Sequence, residues 1–178
     1  MKKASITTRT LTFAAMMTAL SIVIGIFCKN FLNFGAGLFR ITFENFPIVL
    51  AGITCGPVVG GIVGIASDLL SYLLSAQVYP PNLIVTAGAC IVGVVSGLVA
   101  KLVKKHSAWK IVLADSVAHI AGSMIVKTVG LFQFYGWLVL WRVPLYLVIM
   151  TLEIMLLLWL FRRDTFRKLL PKQGKDTQ

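Results

Sequence analysis

The sequence predicts an all-α integral membrane protein with six transmembrane helices and both termini in the cytoplasm. Three observations carry that prediction: the composition, the length of the apolar runs and the placement of the cations. Hydrophobic residues make up 58% of the chain and charged residues only 13%, and the mean hydropathy is +0.89, well away from a soluble domain. Lipid is the expected solvent for most of the molecule.

The first apolar run, 10–28, follows Lys2 and Lys3 as a secretory signal would. It is longer than the ~7–15 apolar residues of a signal peptide and lacks a convincing cleavage site before Lys29, so it reads as helix one. The next apolar stretch, 43–75, would form a single helix about 48 Å long at ~1.5 Å per residue, far beyond a hydrocarbon core of roughly 30 Å. Gly56-Pro57 interrupts it, and that dipeptide breaks helices. The reading is therefore two helices, 43–55 and 57–75, joined by a tight hairpin. Runs 83–100, 110–130 and 141–161 supply the remaining spans, and 162–178 is a basic cytoplasmic tail. Residues 1–178 form one membrane domain.

Cationic loops are retained in the cytoplasm, which gives an independent check on the count. With six spans, Lys2, Lys3 and Arg9, then Lys101, Lys104, Lys105 and Lys110, then Arg162, Arg163, Arg167, Lys168, Lys172 and Lys175 all fall inside. Only Lys29, Arg40, Lys127 and Arg142 remain elsewhere, and fusing the hairpin would put the Lys101–Lys110 cluster outside. The net charge of +11 thus reports topology and points to the lipid bilayer, with its anionic headgroups, as partner; no nucleic acid is expected. Cys28, Cys55 and Cys90 lack metal spacing and read as small core residues.

No Gly-x-x-x-x-Gly-Lys-Ser/Thr loop, His-Glu-x-x-His helix or Gly-x-Ser-x-Gly elbow is present, so the usual ATPase, zinc-protease and hydrolase chemistries have no local signature. Asp115, His119 and Ser123 share one helical face at a spacing of four. Such a stripe suits a metal or an activated nucleophile, while hydrogen bonding between packed helices explains it more simply. Neither an enzyme nor a cofactor is expected.

Ionisable groups in or near lipid are costly and mark ligand paths or paired contacts. Arg40 and Glu44 are spaced to pair if the helix begins early, or to face an outer cavity and bind a polar ligand. At the same outer level lie Gln77, Tyr79, Asn82, Thr86 and Lys127. The following loop adds Phe132, Gln133, Phe134, Tyr135, Trp137 and Trp141 before Arg142. Rings at that depth suit an interfacial belt. Combined with Arg, Lys, Asn and Gln they also suit a flat heteroaromatic anion, with stacking for its faces and cations for its carboxylate. Asp68, in mid-span, reads as a structural or gating hydrogen-bond partner in preference to a proton site. Glu153 and Lys127 are candidates to answer each other. Ala15 and Ala19 form a small-x-x-x-small ridge on helix one that permits close helix approach.

Six helices, the Ala15/Ala19 ridge and the missing ATPase loop together resemble the substrate-binding S component of an energy-coupling factor (ECF) vitamin transporter, over nearly the whole chain. Phe39-Arg-Ile-Thr-Phe43, Pro47-Ile-Val-Leu-Ala-Gly52, Gly56-Pro-Val-Val-Gly-Gly61 and Ala66-Ser-Asp-Leu-Leu70 are most similar to the folate group, whereas Tyr79-Pro-Pro-Asn-Leu83 departs from it. The resemblance implies a high-affinity vitamin-binding subunit in the cell membrane of a prokaryote. Folate or a reduced folate is its implied ligand, and an ECF transmembrane coupling subunit and two ATPase subunits are its implied partners. It further implies that Ala15 and Ala19 dock the coupling subunit and that Arg40 belongs to a lid after helix one. Glu44, Asn82, Thr86, Lys127, Tyr135, Trp137 and Arg142 are the other candidate ligand contacts, by position. The alternatives are another vitamin or a pterin- or purine-like precursor, a stand-alone proton-coupled transporter using Asp68 or Glu153, and a membrane enzyme built on Asp115, His119 and Ser123.

Overall fold

A computed structural model of the chain describes residues 7–34, 39–74, 82–103 and 108–163, with the backbone alone described at 33–34, 39–40 and 134–135. Helix α1 spans Thr8–Phe31, α2 Asn45–Cys55, α3 Pro57–Leu74 and α4 Leu83–Leu102. The fifth rod is composite. It begins as α5, Ala108–Ala118, passes through a π-helical segment, His119–Lys127, and ends as α6, Thr128–Tyr135. A 3-10 segment, Gly136–Trp141, leads directly into α7, Arg142–Arg162. Five of these rods are long and apolar enough to cross a bilayer.

The expected hairpin at Gly56-Pro57 is present. Gly56 ends α2 with φ +94°, a conformation that favours glycine, and Pro57 opens α3 at the position where its missing N–H costs nothing. Three features differ from the sequence reading. Helix α2 is only 11 residues long, beginning at Asn45 instead of 43, about 16 Å at ~1.5 Å per residue, too short to cross a bilayer by itself. Asn33–Phe34 and Phe39–Arg40 pair as a two-residue antiparallel hairpin, and Ile41 N donates to Leu32 O at 3.1 Å. Arg40 is consequently on a strand, and the early helix start that would have brought it within i,i+4 reach of Glu44 does not occur. Third, residues 132–135 continue the fifth rod instead of forming a loop, and the reversal falls at Gly136, φ +54°.

Close backbone approach organises the centre. A Cβ at Gly60 would collide with Gly93 O, and one at Gly93 with Gly60 O, so α3 and α4 touch backbone to backbone. Small residues at such crossings are how helices associate tightly where lipid removes the hydrophobic drive between them. Ile48, Val49, Leu50, Val63, Val92, Ala114, Ala118 and Leu157 fill the space between α2, α3, α4, α5 and α7. Leu11, Met16, Val23, Val58, Leu73, Met155 and Trp159 project outward, as suits a lipid-facing surface.

Candidate functional site

The π segment accounts for an unusual row of buried polar residues. Asp115, His119, Ser123 and Lys127 follow at intervals of four, and all are 5% exposed or less. Four residues overshoot an α turn by about 40° and fall short of a π turn by roughly 30°. A purely α-helical rod would swing the row around its surface; changing to π geometry at His119 turns it back. Thr128 Oγ1 donates to Ser123 O, five residues earlier, at 3.4 Å.

At the Lys127 end the row meets a small cavity, little larger than a water molecule, lined by Ser21, Glu44, Ile48, Ser67, Asp68, Ser71, Ala89 and Lys127. It lies away from the Gly56-Pro57 turn, towards the start of α2 and the end of α3. Lys127 Nζ donates to Asn45 Oδ1 at 2.9 Å and lies 3.6 Å from Glu44 Oε1. Asn45 Nδ2 in turn donates to Ser123 Oγ at 3.1 Å. The Lys127 stem needs Gly88 opposite it, where a Cβ would stand 2.6 Å from Lys127 Cγ. Ser21 Oγ donates to Glu44 O at 2.7 Å, and Lys29 Nζ donates to Ser71 Oγ at 2.8 Å, tying α1 across the cavity to α2 and α3. Asp68 Oδ2 accepts from Thr86 Oγ1 at 2.6 Å, while the buried Ser67 Oγ has no partner among the described residues.

The structure thus brings Glu44, Lys127, Asp68 and Thr86 together. Asn82 instead caps α4: Oδ1 accepts from Ile84 N at 3.0 Å and Nδ2 donates to Gly130 O at 2.7 Å, fastening α4 to α6. Arg142 is buried at the start of α7. Trp137 is 78% exposed and meets Phe132 edge-on, away from the cavity lining. The Arg40 and Tyr135 side chains, Gln77, Tyr79 and the tail from 164 lie outside the described residues. Ala15 and Ala19 are exposed, on the side of α1 turned away from its buried Met17, Ser21, Gly25 and Cys28. Lys29, Asn45 and Ser71 are not among the sequence candidates; Lys29 stands out in the sequence only as a cation outside the cytoplasmic clusters, and Asn45 and Ser71 only as polar residues within apolar runs.

The other end of the row is closed. His119 Nε2 and Glu153 Oε2 are 2.6 Å apart, so Glu153 answers His119 and not Lys127. Ser123 is engaged by Asn45, leaving no Ser–His contact for nucleophilic chemistry.

Comparison with known proteins gives concordant results. The family described as "ECF transporter, substrate-specific component" matches residues 9–166. A protein from Clostridium novyi (strain NT) named "Folate transporter FolT" is 30% identical over 122 residues, covering 67% of this chain and 66% of that protein, slightly under two thirds of its length. A solved structure described as "Crystal structure of FolT bound with folic acid" superposes with a TM-score of 0.64 at 20% identity, over 86% of this chain and 93% of that one, a likeness of fold.

Proposed function

The chain belongs to the substrate-specific components of ECF transporters, and on that premise we propose that it is the folate-binding subunit of an ECF-type importer. Members of that family are binding components of a transporter and not enzymes, and this one is a multi-pass membrane protein. Folate or a reduced folate is its ligand; a separate coupling subunit and two ATPases energise uptake. Both termini face the cytoplasm, which keeps the Lys101–Lys110 and Arg162–Lys175 clusters inside.

The observation that carries this reading is the convergence of Lys127, Glu44 and Asp68 on one cavity at one end of the bundle. A folate offers an amino-oxo heterocycle rich in N–H donors and a tail bearing carboxylates. Asp68, oriented by Thr86, and Glu44 are acceptors for the former; Lys127 supplies charge for the latter, with Arg40 and Arg142 as further candidates by sequence position. The similarity to a named folate transporter supports the same ligand. As it stands the cavity has room for little more than a water molecule, far below the ~300–1,000 Å³ typical of small-molecule sites, so binding widens it. The exposed Ala15/Ala19 ridge is the docking face for the coupling subunit.

The test is titration of the purified protein with folic acid, 5-formyltetrahydrofolate and unrelated vitamins, read by tryptophan fluorescence and repeated with Arg40→Ala. Saturable folate binding weakened by that change supports the reading. Tight binding of another vitamin would replace the ligand and leave the family standing.

A further inference from the structure

Asp115, His119 and Glu153 form a second polar cluster on the same rod, and we propose that they bind one divalent transition-metal ion of the zinc type. All three are fully buried, and one ligand atom from each lies within 4.8 Å of the others. Their polarity is barely used. Apart from the His119–Glu153 contact, both oxygens of Asp115, Oε1 of Glu153 and Nδ1 of His119 have no hydrogen-bond partner among the described residues. Buried unpaired polar atoms are rare and costly in native structures, so the carboxylates of this cluster call for an occupant.

Charge suits a divalent occupant. With both carboxylates ionised and the imidazole neutral, the cluster carries two negative charges. The nearest cation along the row, Lys127, is already held by Glu44 and Asn45. A divalent ion neutralises the cluster completely and leaves the imidazole neutral, as a metal ligand must be. Geometry agrees. Zinc bonds of ~2.0–2.2 Å place adjacent ligand atoms on the order of 3.3 Å apart. The two separations from His119 Nε2, 2.6 Å to Glu153 Oε2 and 3.8 Å to Asp115 Oδ1, bracket that value, and the two carboxylates, within 4.8 Å of each other, close on the ion as it binds. Calcium would need about 6–8 oxygens and magnesium several waters. A fully buried site with one nitrogen and two carboxylate ligands suits an ion of low coordination number. The ion would join the rod to α7 where the π segment begins, fixing the turn that aims Lys127 at the cavity.

The test uses the full-length protein in detergent, stripped with a chelator, reloaded with Zn²⁺ and passed through a desalting column. Elemental analysis should find about one zinc per chain. X-ray absorption should show only nitrogen and oxygen ligands, and zinc should raise the melting temperature. His119→Gln and the near-isosteric Asp115→Asn and Glu153→Gln should each lower zinc retention at least about tenfold, or ~1.4 kcal/mol. Monodisperse wild-type protein that retains less than about a tenth of an equivalent overturns the proposal without reference to any mutant. Sulfur ligands, or undiminished zinc in Asp115→Asn and Glu153→Gln, also overturn it, because the ion would then sit on the cysteines or elsewhere. None of these readouts involves folate, so the result stands apart from the ligand assignment.

Discussion

The two ends of the Asp115–Lys127 row contain the same kinds of group, carboxylates against a base, yet the base is fully paired beside a cavity at one end and the carboxylates are buried and mostly unpaired at the other. At the Lys127 end the ammonium has both Asn45 and Glu44 as partners, and a cavity adjoins it. At the His119 end one 2.6 Å hydrogen bond and one looser 3.8 Å contact serve three fully buried ionisable side chains, and four of their polar atoms have no hydrogen-bond partner among the described residues. The difference shows that burial of charge in a membrane bundle has two separable uses. A charge with spare approach from a cavity can exchange its internal partner for a ligand group; a charge sealed between helices can act only on the helices themselves.

The largest expected effect comes from removing the cation beside the cavity. Lys127→Met keeps most of the stem packed against Gly88 but leaves Glu44 without its ammonium, and folic acid affinity should fall about 100-fold, or ~2.7 kcal/mol, in calorimetric titration. An unchanged affinity would break the assignment of a ligand role to that end. Thr86→Val should weaken binding by about tenfold, since it removes a hydrogen bond to the Asp68 carboxylate worth roughly 1.5–3 kcal/mol, while the fold persists because the side chain keeps its volume. Ser123→Ala probes the join between the two ends. It leaves the Asn45 amide donor buried and unpaired, so it should cost about 1–3 kcal/mol of stability in thermal unfolding and shift folic acid affinity by less than about tenfold. A loss of binding as large as that of Lys127→Met would mean that the ends are one site.

Helix placement was largely legible because it rests on local quantities. Apolar run length set the spans, and Gly56-Pro57 marked the turn that the +94° φ of Gly56 makes. The folate-group resemblance and the family were legible for the same reason, through short local motifs. Partner choice was not. Asn45 and Lys127 are 82 positions apart, and nothing near either residue announces the other. The π segment has no glycine-proline punctuation and no distinctive composition; it is selected by the burial of four polar side chains against three other helices, a tertiary demand. Glu153 was matched to Lys127 by charge sign alone, whereas packing of α7 on the rod brings it to His119. Trp137 is a sequence candidate because it is aromatic and at the right depth, but the direction of its ring depends on the 3-10 segment that begins at Gly136, which has no distinctive sequence signal.

The most direct test of the account is a structure of the protein with folic acid bound. The account predicts the ligand in an enlarged form of the Glu44–Asp68–Lys127 cavity, with Lys127 Nζ within hydrogen-bond distance of a ligand oxygen or of a carboxylate that itself holds the ligand. Folic acid bound elsewhere, with that cavity still closed and the Lys127–Asn45 contact undisturbed, would contradict it.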